Sequence, residues 1–269
     1  SAPASLPGAH GRGPHSPIND CIAEVVAVGH RLAAKFIVVE SVSQMLSSGY
    51  HFMHELWERV RDEYPCTTWL LVNAYNHGVC QWRPRLFWVL SRESIPFHLE
   101  VREPPPLLEA LADLPAGVPN QEPLEDLLNR EDVACLPLLE PGRSAVALPD
   151  EVLAAVAPRA LAHRNRHKLH LHWPTRLRAD RPSKVIYSAV KWVHPVEHRL
   201  LTARECARLM GFPDDFELVG HKREWLAQLG KGICPPVGEW LAGEVAAFLA
   251  GKRGPPLAEG QRVERLGLD

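Results

Sequence analysis

Residues 20 to 42 read DCIAEVVAVGHRLAAKFIVVESV. Apolar side chains recur at helical spacing from Asp20 to Ala34 (Ile22, Val25, Val26, Gly29, Leu32, Ala33), and Phe36 to Val39 then form an unbroken apolar run. A change from a 3.6-residue period to a continuous apolar stretch predicts a helix followed by a buried strand. The pattern repeats down the chain: Phe52, Leu56 and Val60 mark a second helix, and strand-like runs follow at Trp69 to Val72 and Leu86 to Leu90. Fully apolar strands set between helices predict an α/β fold whose sheet is covered on both faces.

With 269 residues, 46% of them apolar, the chain can bury a sizeable core in one or two domains. No apolar run reaches the roughly 18 to 20 residues needed to cross a bilayer, and the start lacks the basic and apolar segments of a signal peptide. A cytoplasmic protein without membrane contact is therefore expected. Cys21, Cys66, Cys80, Cys135, Cys206 and Cys234 are scattered without a CxxC pair, which predicts reduced, mostly buried thiols, Cys21 among them. The first residue is Ser1, which suggests a processed or truncated chain.

Composition shifts at about Glu103. Residues 103 to 158 hold 10 of the 25 prolines and 11 acidic residues against two basic ones, Arg130 and Arg143, and so predict an irregular insertion. Short helices are expected within it near Leu107 to Ala112 and Pro149 to Val156. Residues 159 to 184 reverse the charge: Arg159, Arg164, Arg166, Lys168, Arg176, Arg178, Arg181 and Lys184 face a single acid, Asp180. A basic stripe of this kind binds phosphates even where the net charge is −2. The alternation Leu169, His170, Leu171, His172, Trp173 suggests a strand in its middle. His163, His167, His170 and His172 have spacings that could ligate zinc, but they lie among cations with no cysteine nearby, so no metal is assigned. Helices are expected at Thr202 to Met210, where Thr202 and Glu205 form a capping-box pattern, and at Pro236 to Leu249.

Four segments carry a family resemblance, in the family's order. They are Val38-Val39-Glu40-Ser41-Val42, Gln81-Trp82-Arg83-Pro84-Arg85, the long run from Arg199 to Phe216, and Leu229-Gly230-Lys231-Gly232-Ile233-Cys234-Pro235-Pro236. They resemble the Glu-Asn-Val motif, the Gln-x-Arg-x-Arg motif, the segment after the target-recognition region and the C-terminal fold-back motif of DNA (cytosine-5) methyltransferases. The third match is long and specific. Ser41 and Lys231 stand where the family has asparagine.

The resemblance implies part of an S-adenosylmethionine-dependent, Rossmann-like methyltransferase sheet plus an irregular α+β region that recognises DNA. It divides the chain into a partial catalytic domain at 1–102, a target-recognition region at 103–192, motifs at 193–250 that return to the catalytic domain, and a flexible tail at 251–269. Glu40, Arg83 and Arg85 are the implied catalytic residues, because an acid at a strand end and two guanidinium forks suit the edge of a flipped cytosine. Gly230, Lys231 and Gly232 would lie beside the S-adenosylmethionine donor, and Arg164, Arg166, Lys168, Arg176, Arg178 and Arg181 would bind DNA. The family nucleophile is a cysteine after a proline, and the corresponding position here holds Ala4 or Ser5. Gly8, Gly11 and Gly13 follow no strand and do not replace the family's donor motif. Three readings stay open: a fragment or split-enzyme piece that methylates cytosine when complete, a DNA-binding relative without the nucleophile, and a sequence too degraded to fold stably. The implied partners are double-stranded DNA and a complementary N-terminal methyltransferase piece, in a bacterial or phage-encoded setting.

Overall fold

The computed structural model describes residues 20–48, 50–98, 101–165, 173–188 and 190–252. Among these, one compact unit takes the residues up to Asn73, those from Pro84 to Glu100 and those from Glu239 on; a second takes Ala74–Arg83 and Val101–Gly238.

The first unit begins with α1 (Asp20–Arg31) and β1 (Phe36–Val42), then α2 (Met45–Ser48), α3 (Tyr50–Glu58), β2 (Cys66–Asn73) and β3 (Pro84–Ser91). The strands form one sheet in the order β1-β3-β2, with β3 antiparallel to both neighbours. As the central strand, β3 buries Leu86, Phe87, Trp88, Val89 and Leu90 on both its faces. Ile22 and Val26 of α1, Met53 and Leu56 of α3, Ile37 and Val39 of β1, and Leu86, Trp88 and Leu90 of β3 make one apolar cluster. Each fully buried side chain of this size contributes about 1.5–3 kcal/mol. Gly29 lets α1 lie directly on the strand, since a Cβ there would stand 2.6 Å from Ile37 Cγ1. The Tyr64 hydroxyl donates to the Ala34 carbonyl at 2.7 Å and pins the connection that leads into β1.

The α/β expectation holds, with two corrections. Coverage on both faces applies to β3, whereas β1 buries Ile37 and Val39 in the cluster with α1 and α3 and leaves Val38, on its other face, partly exposed. Cys21 is exposed on α1 rather than packed, while Cys80, Cys135, Cys206 and Cys234 are buried thiols outside any disulfide.

The second unit is built largely from loops and short helices. They are α4 (Leu107–Leu111), α5 (Arg130–Cys135), α6 (Asp150–Val156), α7 (Pro158–Asn165), α8 (Ala203–Arg208), α9 (Lys222–Lys231) and the start of α10 (Pro235–Leu249). Its strands, β4 (Thr175–Arg176) and β5 (Trp192–Val193), are two residues each and parallel. The two helices expected between 103 and 158 are α4 and α6. An unforeseen third, α5, starts on a capping box in which Asn129 Oδ1 accepts from Asp132 N and Asp132 Oδ2 accepts from Asn129 N. The capping box read from Thr202 and Glu205 is present on α8, with bonds of 3.1 and 2.7 Å.

The boundary expected at 192/193 has no counterpart here. Residues 193–238 cluster with 101–192, because β5 pairs with β4 and Arg204 bonds the carbonyl of Pro119. The expected strand at Leu169 to His172, together with Arg166, Lys168 and three of the four histidines, lies outside the described residues, as do Ala4, Ser5, Gly8, Gly11, Gly13 and most of the tail. No described helix is long and apolar enough to cross a membrane.

Candidate active site

Glu40 and Arg85 meet on the sheet of the first unit. In the antiparallel β1–β3 register Glu40 stands opposite Phe87 and Val42 opposite Arg85, so the two charged residues are diagonal neighbours on one face. Arg85 Nε lies 3.0 Å from Glu40 Oε1, and the side chains keep 14% and 25% of their surface exposed. The same face of β1 carries Val38, turned away from the apolar cluster under α1 and α3. An acid held by a guanidinium and still reachable by solvent can present hydrogen-bonding groups to a planar polar ligand.

Arg83 does not join this pair. It is buried in the second unit, where Nη1 donates to the carbonyl of Ile186 (3.0 Å) and Nη2 to the carbonyls of Gly230 (2.9 Å) and Gly232 (2.8 Å). The expectation that Arg83 and Arg85 act side by side on a substrate is corrected, since Arg83 is an internal clamp on a turn. Gly230 changes role with it. A Cβ at this position would stand 2.8 Å from Tyr187 Cα and 3.2 Å from Ser188 N, so glycine is required for backbone to pass backbone. Gly232 closes α9 by donating to the carbonyls of Gln228 and Leu229, and Lys231 is exposed on its last turn.

The basic stripe separates in the same way. Arg176 is buried and all five of its donors are engaged: Nε to the Leu139 carbonyl, Nη1 to those of His194 and Glu197, and Nη2 to the Leu136 carbonyl and His198 Nδ1, each at 2.8–2.9 Å. It has no donor left for phosphate and is corrected to an internal anchor. Arg164 is held by the carbonyls of Val146 and Leu148 and by Asp150. Arg178 is exposed but forked onto Asp180, and that bond holds the Asp180 carboxyl down to about 2. Arg181 and Lys184 are exposed.

Reading by motif missed further charges that are engaged within the protein, Arg204 fully buried and Arg199 and Lys191 partly so. Arg204 donates to the carbonyls of Pro119, Pro213 and Phe216. Arg199 grips Glu205 through two 2.8 Å bonds, and this carboxylate, more than Glu197, raises the Arg199 pKa. Lys191 reaches the buried Asp132 at 2.5 Å. In sequence these look like any surface charge; only their partners mark them out.

A family model for C-5 cytosine-specific DNA methylases matches residues 9–247. The chain belongs to that family. Among curated relatives, type II methyltransferase M.NgoFVII of Neisseria gonorrhoeae is 28% identical over 229 residues, covering 76% of this chain and 56% of the relative. A Methanocaldococcus jannaschii protein described as type II methyltransferase M.MJ0563P is 30% identical over 137 residues, covering 51% of this chain and 38% of its own length. The chain thus spans about half the length of the curated relatives it matches. Its fold is similar to that of a prophage-encoded Escherichia coli protein described as a DNA modification methyltransferase, with a TM-score of 0.58 at 20% identity over 86% of this chain and 74% of the other. Entamoeba histolytica methyltransferase EhMeth gives a TM-score of 0.55 at 13% identity, covering 87% and 72%. These likenesses support the reading of the sheet as part of a methyltransferase fold. The family match begins beyond Ala4 and Ser5, so it does not bear on the nucleophile position.

Proposed function

We propose that this chain supplies the cytosine-holding and DNA-gripping part of a DNA (cytosine-5) methyltransferase. The observation that carries the proposal is the 3.0 Å Glu40–Arg85 pair, made by two of the family's motifs on adjacent strands. With a flipped cytosine in place, Glu40 holds a proton at N3 and so draws electron density from C6, while Arg85 positions the base through its fork. Arg181 and Lys184, together with Arg166 and Lys168 of the same stripe, are the cations assigned to phosphate, and Arg178 can join them by exchanging Asp180 for it.

The family's methyl donor is S-adenosylmethionine. The residues carried over for it do not fit that role: Gly230 is filled by the Tyr187 backbone, and its carbonyl and that of Gly232 accept from Arg83. A second reading is a DNA-binding relative without catalysis, which requires that Ala4 or Ser5 take the nucleophile position expected from the sequence.

The test is a duplex-DNA titration at several salt concentrations beside single-turnover methylation with a donor-binding methyltransferase half added. Binding that weakens steeply with salt, with Glu40→Gln slowing methylation at unchanged affinity, is the expected result. Salt-dependent binding without methylation under any condition favours the second reading, and absence of DNA binding overturns both.

A further inference from the structure

Resting on the reading that this chain grips DNA, we propose that Trp82 is a stacking platform for an unpaired nucleotide of the bound strand, with Lys184 and Arg181 taking the phosphates beside it. A short backbone pairing inside the second unit sets the platform. Residues 80–82 run parallel to 182–184: Ser183 N donates to the Cys80 carbonyl at 3.0 Å, and Trp82 N donates to the Ser183 carbonyl at 2.9 Å. Successive side chains on paired extended segments point to opposite faces. Gln81 and Ser183, the bridged pair, are both fully buried, so Trp82 and Lys184 stand side by side on the outer face. Lys184 and Arg181 are exposed there, and Trp82 is half-buried. Tyr75 of the same unit braces the indole, with ring centroids 5.9 Å apart and planes at 45°. A ring braced in this way has little freedom left to lose when a ligand settles on it.

The ligand follows from this combination of ring and cations. A tryptophan that serves packing alone is fully covered, as Trp88 is in the sheet. Trp82 instead keeps an open portion next to a lysine of the basic stripe. Every base has a flat face that an indole can take, and the attached phosphate falls to cations at the edge of the ring. Between Thr175 and Ser188 the sequence has a single acid, Asp180, and Arg178 holds it in a fork, so Arg181 and Lys184 keep their charge for an anion. In an intact duplex each base is covered by its neighbours on both faces. The platform therefore selects a nucleotide that has left the stack.

The test titrates the full chain with a fully paired duplex and with the same duplex carrying one unpaired adenine, following anisotropy and tryptophan emission. The unpaired adenine should raise affinity about tenfold, as one base–aromatic stack does, and should quench part of the emission. Trp82→Leu should abolish both the preference and the quenching and leave affinity for the paired duplex unchanged. Trp82→Phe keeps a ring, so it should retain most of the preference while losing the quenching, a result that a folding defect would not produce. Lys184→Gln should lower the salt slope by about one phosphate contact. Equal affinity of the parent chain for the two duplexes overturns the platform and leaves the DNA grip standing. A preference or quenching that survives Trp82→Leu places the nucleotide elsewhere and also overturns it. Binding of the unpaired form through Trp82 without binding of the paired duplex would count against the proposed function and leave the platform standing. Absence of binding to either duplex overturns both.

Discussion

Arg83 and Arg85 are two residues apart in one motif, yet they belong to different units and do opposite things. In the sheet unit backbone groups are paired by the β1–β3–β2 ladders, and a charged side chain such as Arg85 can remain partly open beside Glu40. Among the described residues the second unit has a two-residue parallel pair, isolated bridges and short helices, so its loops bring carbonyls inside without ladder partners. Buried carbonyls require donors. Arg83, Arg176 and Arg204 supply them as buried forks, with Arg176 alone meeting four carbonyls and an imidazole. Where regular structure is scarce, arginine takes over the work of the ladder, and the same residue type then no longer reports on nucleic acid.

This contrast breaks if the two classes of arginine respond alike to removal. Arg176→Met should destabilise the chain by about 3–5 kcal/mol, because it strands buried acceptors from several loops at once. Arg176→Lys should recover little of this, since a lone ammonium cannot reach five acceptors in a plane. Denaturant titration reads both. A cost below about 1 kcal/mol for Arg176→Met would show that the loops rearrange to meet one another's needs.

Glycines sharpen the same contrast at a smaller scale. Gly230→Ala should cost about 1–3 kcal/mol, because the new methyl meets backbone rather than a movable side chain. Gly243→Ala, in the interior of α10 with nothing within 4 Å, should instead stabilise by about 0.5–1 kcal/mol. Opposite shifts in melting temperature are the expected signature.

Acid should separate the units as well. His194 Nδ1 accepts from the backbone N–H groups of Val196 and Glu197, and burial, then Arg199, lowers its pKa below the usual 6.5. His77 is lowered by burial and Arg102. A histidine held neutral in the folded state contributes stability that is complete above its unfolded pKa and is lost as pH falls toward the lower folded value. Stability should therefore decline as pH drops below about 6.5. Amide exchange should place the first loosening at 194–199 rather than in the sheet, and His194→Gln, which keeps an acceptor, should flatten the profile.

Much of this architecture was legible in the sequence, for reasons that also explain what was not. The period change at Lys35 locates α1 and β1, and the Thr202–Glu205 spacing locates the start of α8, because both signals are local. The family motifs grouped Glu40, Arg83 and Arg85, but only the register of β1 on β3 tells which arginine stands beside Glu40. Helical periodicity could not distinguish the two stripes of α1, since Val25 and Val26 are equally apolar and only the position of the sheet decides which one is covered. Within the basic stripe, Arg164 and Arg176 were misread for the corresponding electrostatic reason. Charge density says how many cations are present, but whether Arg176 faces phosphate or a nest of carbonyls depends on loops brought in from 136–139 and 194–198.

The smallest stability effect should fall on the pair assigned to the base. Glu40 and Arg85 are only partly buried, and pairs of this exposure contribute about 1 kcal/mol or less. Glu40→Gln keeps the shape and an acceptor for Arg85, so its melting temperature should match that of the parent within error. If the pair serves cytosine, this same silent substitution should produce the largest functional loss of those considered. Glutamine cannot hold a titratable proton at N3, and single-turnover methylation in the presence of a donor-binding half should fall by about 10²–10⁴-fold. Duplex affinity should stay within about twofold, since phosphate contacts dominate it. Arg85→Ala should lower both activity and stability modestly, through lost positioning. A stability loss for Glu40→Gln as large as that for Arg176→Met would make Glu40 another internal anchor and erase the distinction between the two units.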